Sequence, residues 1–287
     1  MKSGEKTSLK RVNVCMSDIM HSYTILGHIR SGYFGDVYAV ADGKHKGSRE
    51  YHTMKKYTGK KFDYIMKVTS NNKVAMDEVT MLYAINKIGS VHLPKLISHH
   101  KCDSMRFRGS RKQGIALSHK DWTFVKKGKG LITLMENSGI GMDLYLKKNR
   151  NPMNEVIMIF QLLCTLYLLK KNKIVHNDIY MPNIVCKPVR DTSMSYNIDG
   201  TVMRVPILDG HVPVLIDFGQ AQTTNVGSPN LNTEMLLSTW YHYTTNPEMK
   251  QFLGMLREKP IHNLKSFIVD YYRTHIGSSE NNNNNNV

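Results

Sequence analysis

The sequence predicts an α+β fold, and three observations lead to it. Short segments rich in β-branched and aromatic residues, set between glycine turns and polar stretches, fill the first half: residues 23–29, 38–40, 64–68, 92–97 and 130–137. Stretches with helical periodicity dominate the second half: residues 154–169, 234–243, 247–257 and 264–274. A chain of 287 residues can bury a sizeable core, as one large domain or as two small lobes.

In chain order, residues 23–29 are β-formers that run into Ser31-Gly-Tyr-Phe-Gly-Asp-Val37 and then Tyr38-Ala-Val40. Two strands flank a turn bearing Gly32 and Gly35, glycines that let backbone N–H groups approach a phosphate. Residues 42–61 form a basic insertion without period, read as an exposed loop. Lys67 sits inside the apolar run 64–68, and a charge on a buried strand needs a partner. Residues 73–85 have helical spacing, with Glu78, Leu82 and Ile85 on one face. Glu78 is the favoured partner, and Asp77 the alternative if the helical phase slips by one residue.

Residues 92–97 open another strand, followed by a second basic stretch, 101–129, interleaved with Phe107, Trp122 and Phe124. That composition suits a phosphate-rich partner as well as a solvated hairpin. His99, His100, Cys102 and His119 match no zinc spacing. Residues 130–137 read as a buried strand, and a helix begins near Leu144 with Asp143 placed to cap it. Residues 154–169, apolar almost all round, read as a buried helix too short to cross a bilayer. Asp199-Gly200 between β-rich arms marks a hairpin over residues 195–205, and Asp209-Gly210 precedes another apolar strand. Residues 220–229 read as loop, and Pro247 as the first turn of a helix. Residues 277–287, ending in six asparagines, read as a disordered tail.

Two strings carry the chemistry. Val175-His-Asn-Asp-Ile-Tyr-Met-Pro-Asn183 sets Asp178 and Asn183 five apart, and Val214-Leu-Ile-Asp-Phe-Gly219 delivers Asp217 at the end of an apolar run. Either string alone recurs by chance; in this order and context they are specific. With them, the chain resembles the eukaryotic-type protein kinase superfamily over roughly residues 23–274. It looks closest to haspin-like kinases and the short protein kinases of large DNA viruses, which similarly insert a hairpin before the Asp-Phe-Gly strand.

The resemblance implies a two-lobed protein-kinase-like fold. After a lead (1–20) would come a β-rich N-lobe with the basic insertions (21–136), then an abbreviated, mainly helical C-lobe (137–276). It implies ATP and Mg2+ as ligands, with Asp178 as the base and Asn183 and Asp217 as metal ligands. Lys67 and Glu78 would hold the α/β-phosphates beneath a loop containing Gly32 and Gly35. Val37 would pack on the adenine, Met135 guard the back of the pocket, Glu136 open the hinge and Asp143 reach a ribose hydroxyl. Four features depart from the pattern. Arg30 stands where a first glycine is usual, and Asn177 replaces the arginine that engages a phosphorylated activation loop. Tyr180 occupies a position where many Ser/Thr kinases have lysine, and the segment after Gly219 is short.

A formal charge of +16 favours acidic protein or chromatin- and nucleic-acid-associated partners. Four cysteines (Cys15, Cys102, Cys164, Cys186) without paired spacing read as free thiols of a reducing compartment. With a polar first segment and no span expected, the chain reads as an intracellular monomer, cytoplasmic or nuclear and not secreted. The expected activity is Mg-ATP-dependent phosphorylation of Ser/Thr in a protein substrate. The alternatives are an aminoglycoside- or choline-type small-molecule phosphotransferase, whose His-x-Asp pattern Asn177 suits, and a pseudokinase scaffold with a basic binding surface.

Overall fold

A computed structural model of the protein describes residues 23–32, 35–42, 62–102, 129–149, 151–223, 229–257, 261 and 263–277. The 1–20 lead, most of both basic insertions, Cys15, the hairpin-tip residues Tyr33 and Phe34, and all but the first residue of the 277–287 tail lie outside the described residues. The fold is mixed α and β with antiparallel sheets, as expected. The chain divides into two compact units, Met1–Met76 with Leu96–Asn137, and Asp77–Lys95 with Ser138–Val287.

The first unit holds a five-stranded antiparallel sheet. Its strands are β1 (Tyr23–Gly32), β2 (Gly35–Asp42), β3 (Tyr64–Ser70), β4 (Leu96–Cys102) and β5 (Gly130–Glu136), in the order β1-β2-β3-β5-β4. The strand period of two sorts the residues onto two faces. Tyr38, Val40, Met66, Val68, Ile132 and Leu134 form a buried core on one face. Val37, Lys67, Thr133 and Met135 belong to the alternate register, on the other face. β4 starts at Leu96, not at His92 as the sequence suggested. Residues 91–95 form turns and irregular backbone because Pro94 lacks a ladder donor and His92 bonds elsewhere.

Helix α1 (Lys73–Ile88) begins in the first unit and, from Asp77, groups with the second. The second unit adds β6 (Ile140–Gly141), α2 (Met142–Lys148), α3 (Pro152–Lys171), β7 (Ile174–Val175) and β8 (Ile184–Pro188). There follow β9 (Ser193–Ile198), β10 (Thr201–Pro206), β11 (His211–Leu215) and β12 (Gln222–Thr223). Three helices close it: α4 (Pro229–Tyr243), α5 (Pro247–Arg257) and α6 (Leu264–His275). Asparagines cap the starts of α3, α5 and α6. Asn151 accepts from Met153 N, Asn246 from Glu248 N and Met249 N, and Asn263 from Lys265 N and Ser266 N. Each cap satisfies backbone donors that the helix itself leaves open.

α3 is the core of this unit. Phe160 is fully buried and stacks on Tyr271 of α6, whose hydroxyl donates to Val156 O. Trp240 of α4 is equally buried and donates its indole N–H to Glu155 at 2.8 Å. Burial pushes the Glu155 carboxyl up from its ordinary value, and the indole bond opposes that shift. At 20 residues α3 is long and apolar enough to cross a membrane, so its length is not what argues against a span. Its own unit covers most of it, as expected of a core helix.

Two other starts differ from expectation. α4 begins at Pro229 rather than Glu234, because buried Asn232 and Thr233 override the low helix propensity of that polar turn. α2 begins at Met142, with Gly141 at the cap position and no side-chain cap bond. Asp143 therefore lies inside the first turn and does not cap the helix; its negative charge complements the dipole there.

Candidate active site

The β8–β11 ladder sets the geometry. Its pairs run from Pro188 opposite His211 to Ile184 opposite Leu215. One further bond, Ile216 N to Asn183 O at 2.8 Å, ties the end of the ladder. The chain then turns at Asp217, whose φ of 64° and ψ of 74° lie in the left-handed region. Aspartate tolerates that region better than most residues. Asn183 ends a 3₁₀ turn over Met181–Asn183, so the two elements bring Asn183 and Asp217 to one end of the sheet.

Asn183 is fully buried. Its Nδ2 donates to Asp178 Oδ2 at 2.9 Å and to Asp178 O at 3.0 Å. Both partners are acceptors, which fixes which end of the amide is nitrogen. Asn183 Oδ1 is left buried with no hydrogen-bond partner. A buried amide oxygen without a donor is costly unless something electropositive takes it. Hard oxygen donors, Asn183 Oδ1 and the Asp217 carboxylate, are what Mg2+ accepts, and Mg2+ takes only one or two protein carboxylates beside phosphate and water. The residues present fit that ion. No cluster of three or more His, Cys, Asp or Glu with metal-site geometry occurs among the described residues.

Asp178 is half-buried, and burial raises its carboxyl above the ordinary range. The Asn183 bond opposes this and the nearby Asp217 charge adds to it. His176 orders the loop from beneath. Its Nε2 donates to Ile216 O at 3.0 Å, its Nδ1 accepts from Asp178 N at 3.3 Å, and its ring meets Phe218 edge-on at 4.6 Å. One nitrogen must donate to a carbonyl and the other must accept, so the imidazole is neutral. Asn177, at φ 63°, donates from Nδ2 to Gln220 O and from its backbone N to Asn232 Oδ1 of α4. An amide thus ties the loop to the chain just after Asp217-Phe-Gly219.

Burial pushes both His176 and His92 down to about 4 from 6.5. For these bases the unfolded chain binds protons between pH 6.5 and 4 and the folded chain does not, so stability falls as pH drops through that window. At pH 5 each histidine should cost about 2 kcal/mol relative to pH 7. Melting temperatures at pH 7 and pH 5 measure the decrement, and in His92→Gln it should shrink; an equal decrement in both proteins would contradict the assignment.

Of the helix acids, Glu78 is buried and Asp77 exposed. A Cβ placed on Gly219 would lie 3.4 Å from Asp217 Oδ1 and 3.8 Å from Glu78 Oε2, so these two carboxylates flank the turn. The second unit therefore collects Glu78, Asp178, Asn183 and Asp217. Asp143 also belongs to it, half-buried on α2. Tyr180 is exposed between Asp178 and Asn183, and its carbonyl accepts from Asn183 N.

The first unit holds the other candidates. Lys67 is buried mid-strand, directly paired with Val37, and Met135 lies on the same face. Glu136 pairs with Tyr64 and points to the opposite face. Gly32 pairs with Gly35 at the hairpin end. Gly35 has φ 142°, and a Cβ there would come within 2.3 Å of Val68 O, so only glycine fits.

No protein-family model matches the chain. Over 51 residues, 18% of this chain, it is 43% identical to "Uncharacterized protein ZK177.2" of Caenorhabditis elegans. That stretch covers 17% of the worm protein. Sequence reasoning assigned no role to His176, Phe218 or Asn232. The histidine two residues before Asp178 was a usable signal; nothing near Asn232 marks it, 55 residues from the backbone it holds.

Proposed function

We propose that the protein is a Mg-ATP-dependent protein kinase that transfers the γ-phosphate to Ser/Thr hydroxyls, with a two-lobed kinase-like fold. The observation that carries the reading is Asn183: fully buried, its Nδ2 committed to Asp178 and its Oδ1 presented without a partner. Asn183 Oδ1 and Asp217 would hold Mg2+, which when bound neutralises charge on the phosphates.

Asp178 accepts the proton of the attacking hydroxyl at Oδ1 or Oδ2. Asn183 orients that carboxylate and His176 fixes the backbone N–H beside it. Glu78, buried beside the Asp217 turn, and Lys67, buried in β3, are the groups assigned to phosphate positioning. The net charge of +16 supports acidic or nucleic-acid-associated protein substrates.

The test is magnesium-dependent transfer from labelled ATP to the protein itself and to generic acidic and basic proteins, followed by phosphoamino-acid analysis. Label on serine or threonine is the expected result. Label only on aminoglycosides or choline would replace the reading with a small-molecule phosphotransferase. The absence of ATP binding would leave a scaffold.

A further inference from the structure

β11, which delivers Asp217, is an edge strand in a three-stranded sheet of order β11-β8-β6. The outer edge of such a strand leaves backbone groups without partners. A single residue, His92, fills two of them. Its carbonyl accepts from Leu215 N at 3.0 Å, and its ring Nδ1 donates to Pro213 O at 2.7 Å. The other ring nitrogen, Nε2, must then accept, and Tyr196 of β9 supplies its hydroxyl at 2.7 Å with the two rings stacked. His92 is itself buried. It follows α1 closely: the helix ends at Ile88, Gly89 takes φ 70°, and Ser90 Oγ accepts from His92 N. One residue, four positions after the helix of Glu78 ends, therefore joins the strand of Asp217 to the β9–β10 hairpin.

We infer that His92 and Tyr196 are positioning residues, and that the β9–β10 hairpin is a latch that sets Asp217 for metal binding. The inference rests on the phosphotransfer reading for its consequence, but its geometry does not. Removing the Tyr196 hydroxyl leaves a buried acceptor on His92 and frees the ring to turn away from Pro213. Strand β11 then loses its side-chain support at Pro213, four residues from Asp217, and keeps only the backbone bond from Leu215 N to His92 O. Neither Tyr196 nor His92 touches the reacting atoms.

Tyr196→Phe keeps the ring and the core. In the full chain, amide exchange over residues 211–217 should quicken about five- to ten-fold, with exchange in β1–β5 unchanged. The Mg2+ concentration for half-maximal phosphotransfer should rise about three- to ten-fold, a change that a merely structural hydroxyl would not cause. Tyr243→Phe, at an exposed ring of α4, is the control and should change neither. Unchanged exchange over residues 211–217 would overturn the latch. Faster exchange with an unchanged Mg2+ requirement in an active parent would overturn the positioning role. A parent with no phosphotransfer would overturn the kinase reading instead, and the exchange comparison would still decide whether Tyr196 anchors β11.

Discussion

Asp217→Asn should lower magnesium-dependent phosphoryl transfer by about a thousand-fold or more while leaving the melting temperature within about 2 °C of the parent. A metal ion stabilises transition-state charge by several kcal/mol, and each 1.36 kcal/mol is tenfold in rate. Asparagine is the better test than alanine. Position 217 has φ 64°, which asparagine adopts readily and alanine does not, so the turn survives and only the charged oxygen is lost.

A second signature follows from electrostatics. The Asp217 charge helps to raise the Asp178 carboxyl. Without it, the acid limb of any residual activity should move to lower pH. A variant as active as the parent at saturating Mg2+ would remove Asp217 from the metal site and the reading with it.

That Asp178, Asn183 and Asp217 would lie in one region was legible in the sequence because short features place them: an interval of five residues in one case, a strand end in the other. Lys67 was readable as a buried strand residue because it is the one charge inside the apolar run 64–68, and the register sets it mid-strand opposite Val37. Helical phase was harder. Asp77 and Glu78 differ by one residue, and only packing buries the second and exposes the first. The first turn of α4 was missed because a polar, asparagine-rich turn has weak helix propensity, and burial of Asn232 and Thr233 compensates for it. His92 and Tyr196 were out of reach for a different reason. They are 104 residues apart, each is ordinary by itself, and their meaning lies in a hydrogen bond. α3 shows the limit of length rules, since its apolar run reads shorter than the 20-residue helix it becomes.

Asp178→Asn should separate activity from stability in the opposite sense to most active-site damage. Loss of a general base costs about 10²–10⁴ in rate, so kcat should fall by that factor. Stability should hold or rise. The Asp178 carboxyl is raised by burial and by Asp217, so at neutral pH its ionised form is disfavoured in the folded state. A group of this kind contributes stability below its folded pKa and withdraws it above, and a neutral amide removes that cost. The Asn183 bond survives, because the asparagine at 178 can turn its own oxygen toward Asn183 Nδ2. The pH–rate profile supplies the sharper check. The parent should show an acid limb above the ordinary carboxylate value, and the variant should lose that limb. Retained activity with the limb intact would assign the base elsewhere. A fall in both rate and melting temperature would make Asp178 a structural residue of the loop rather than its catalyst.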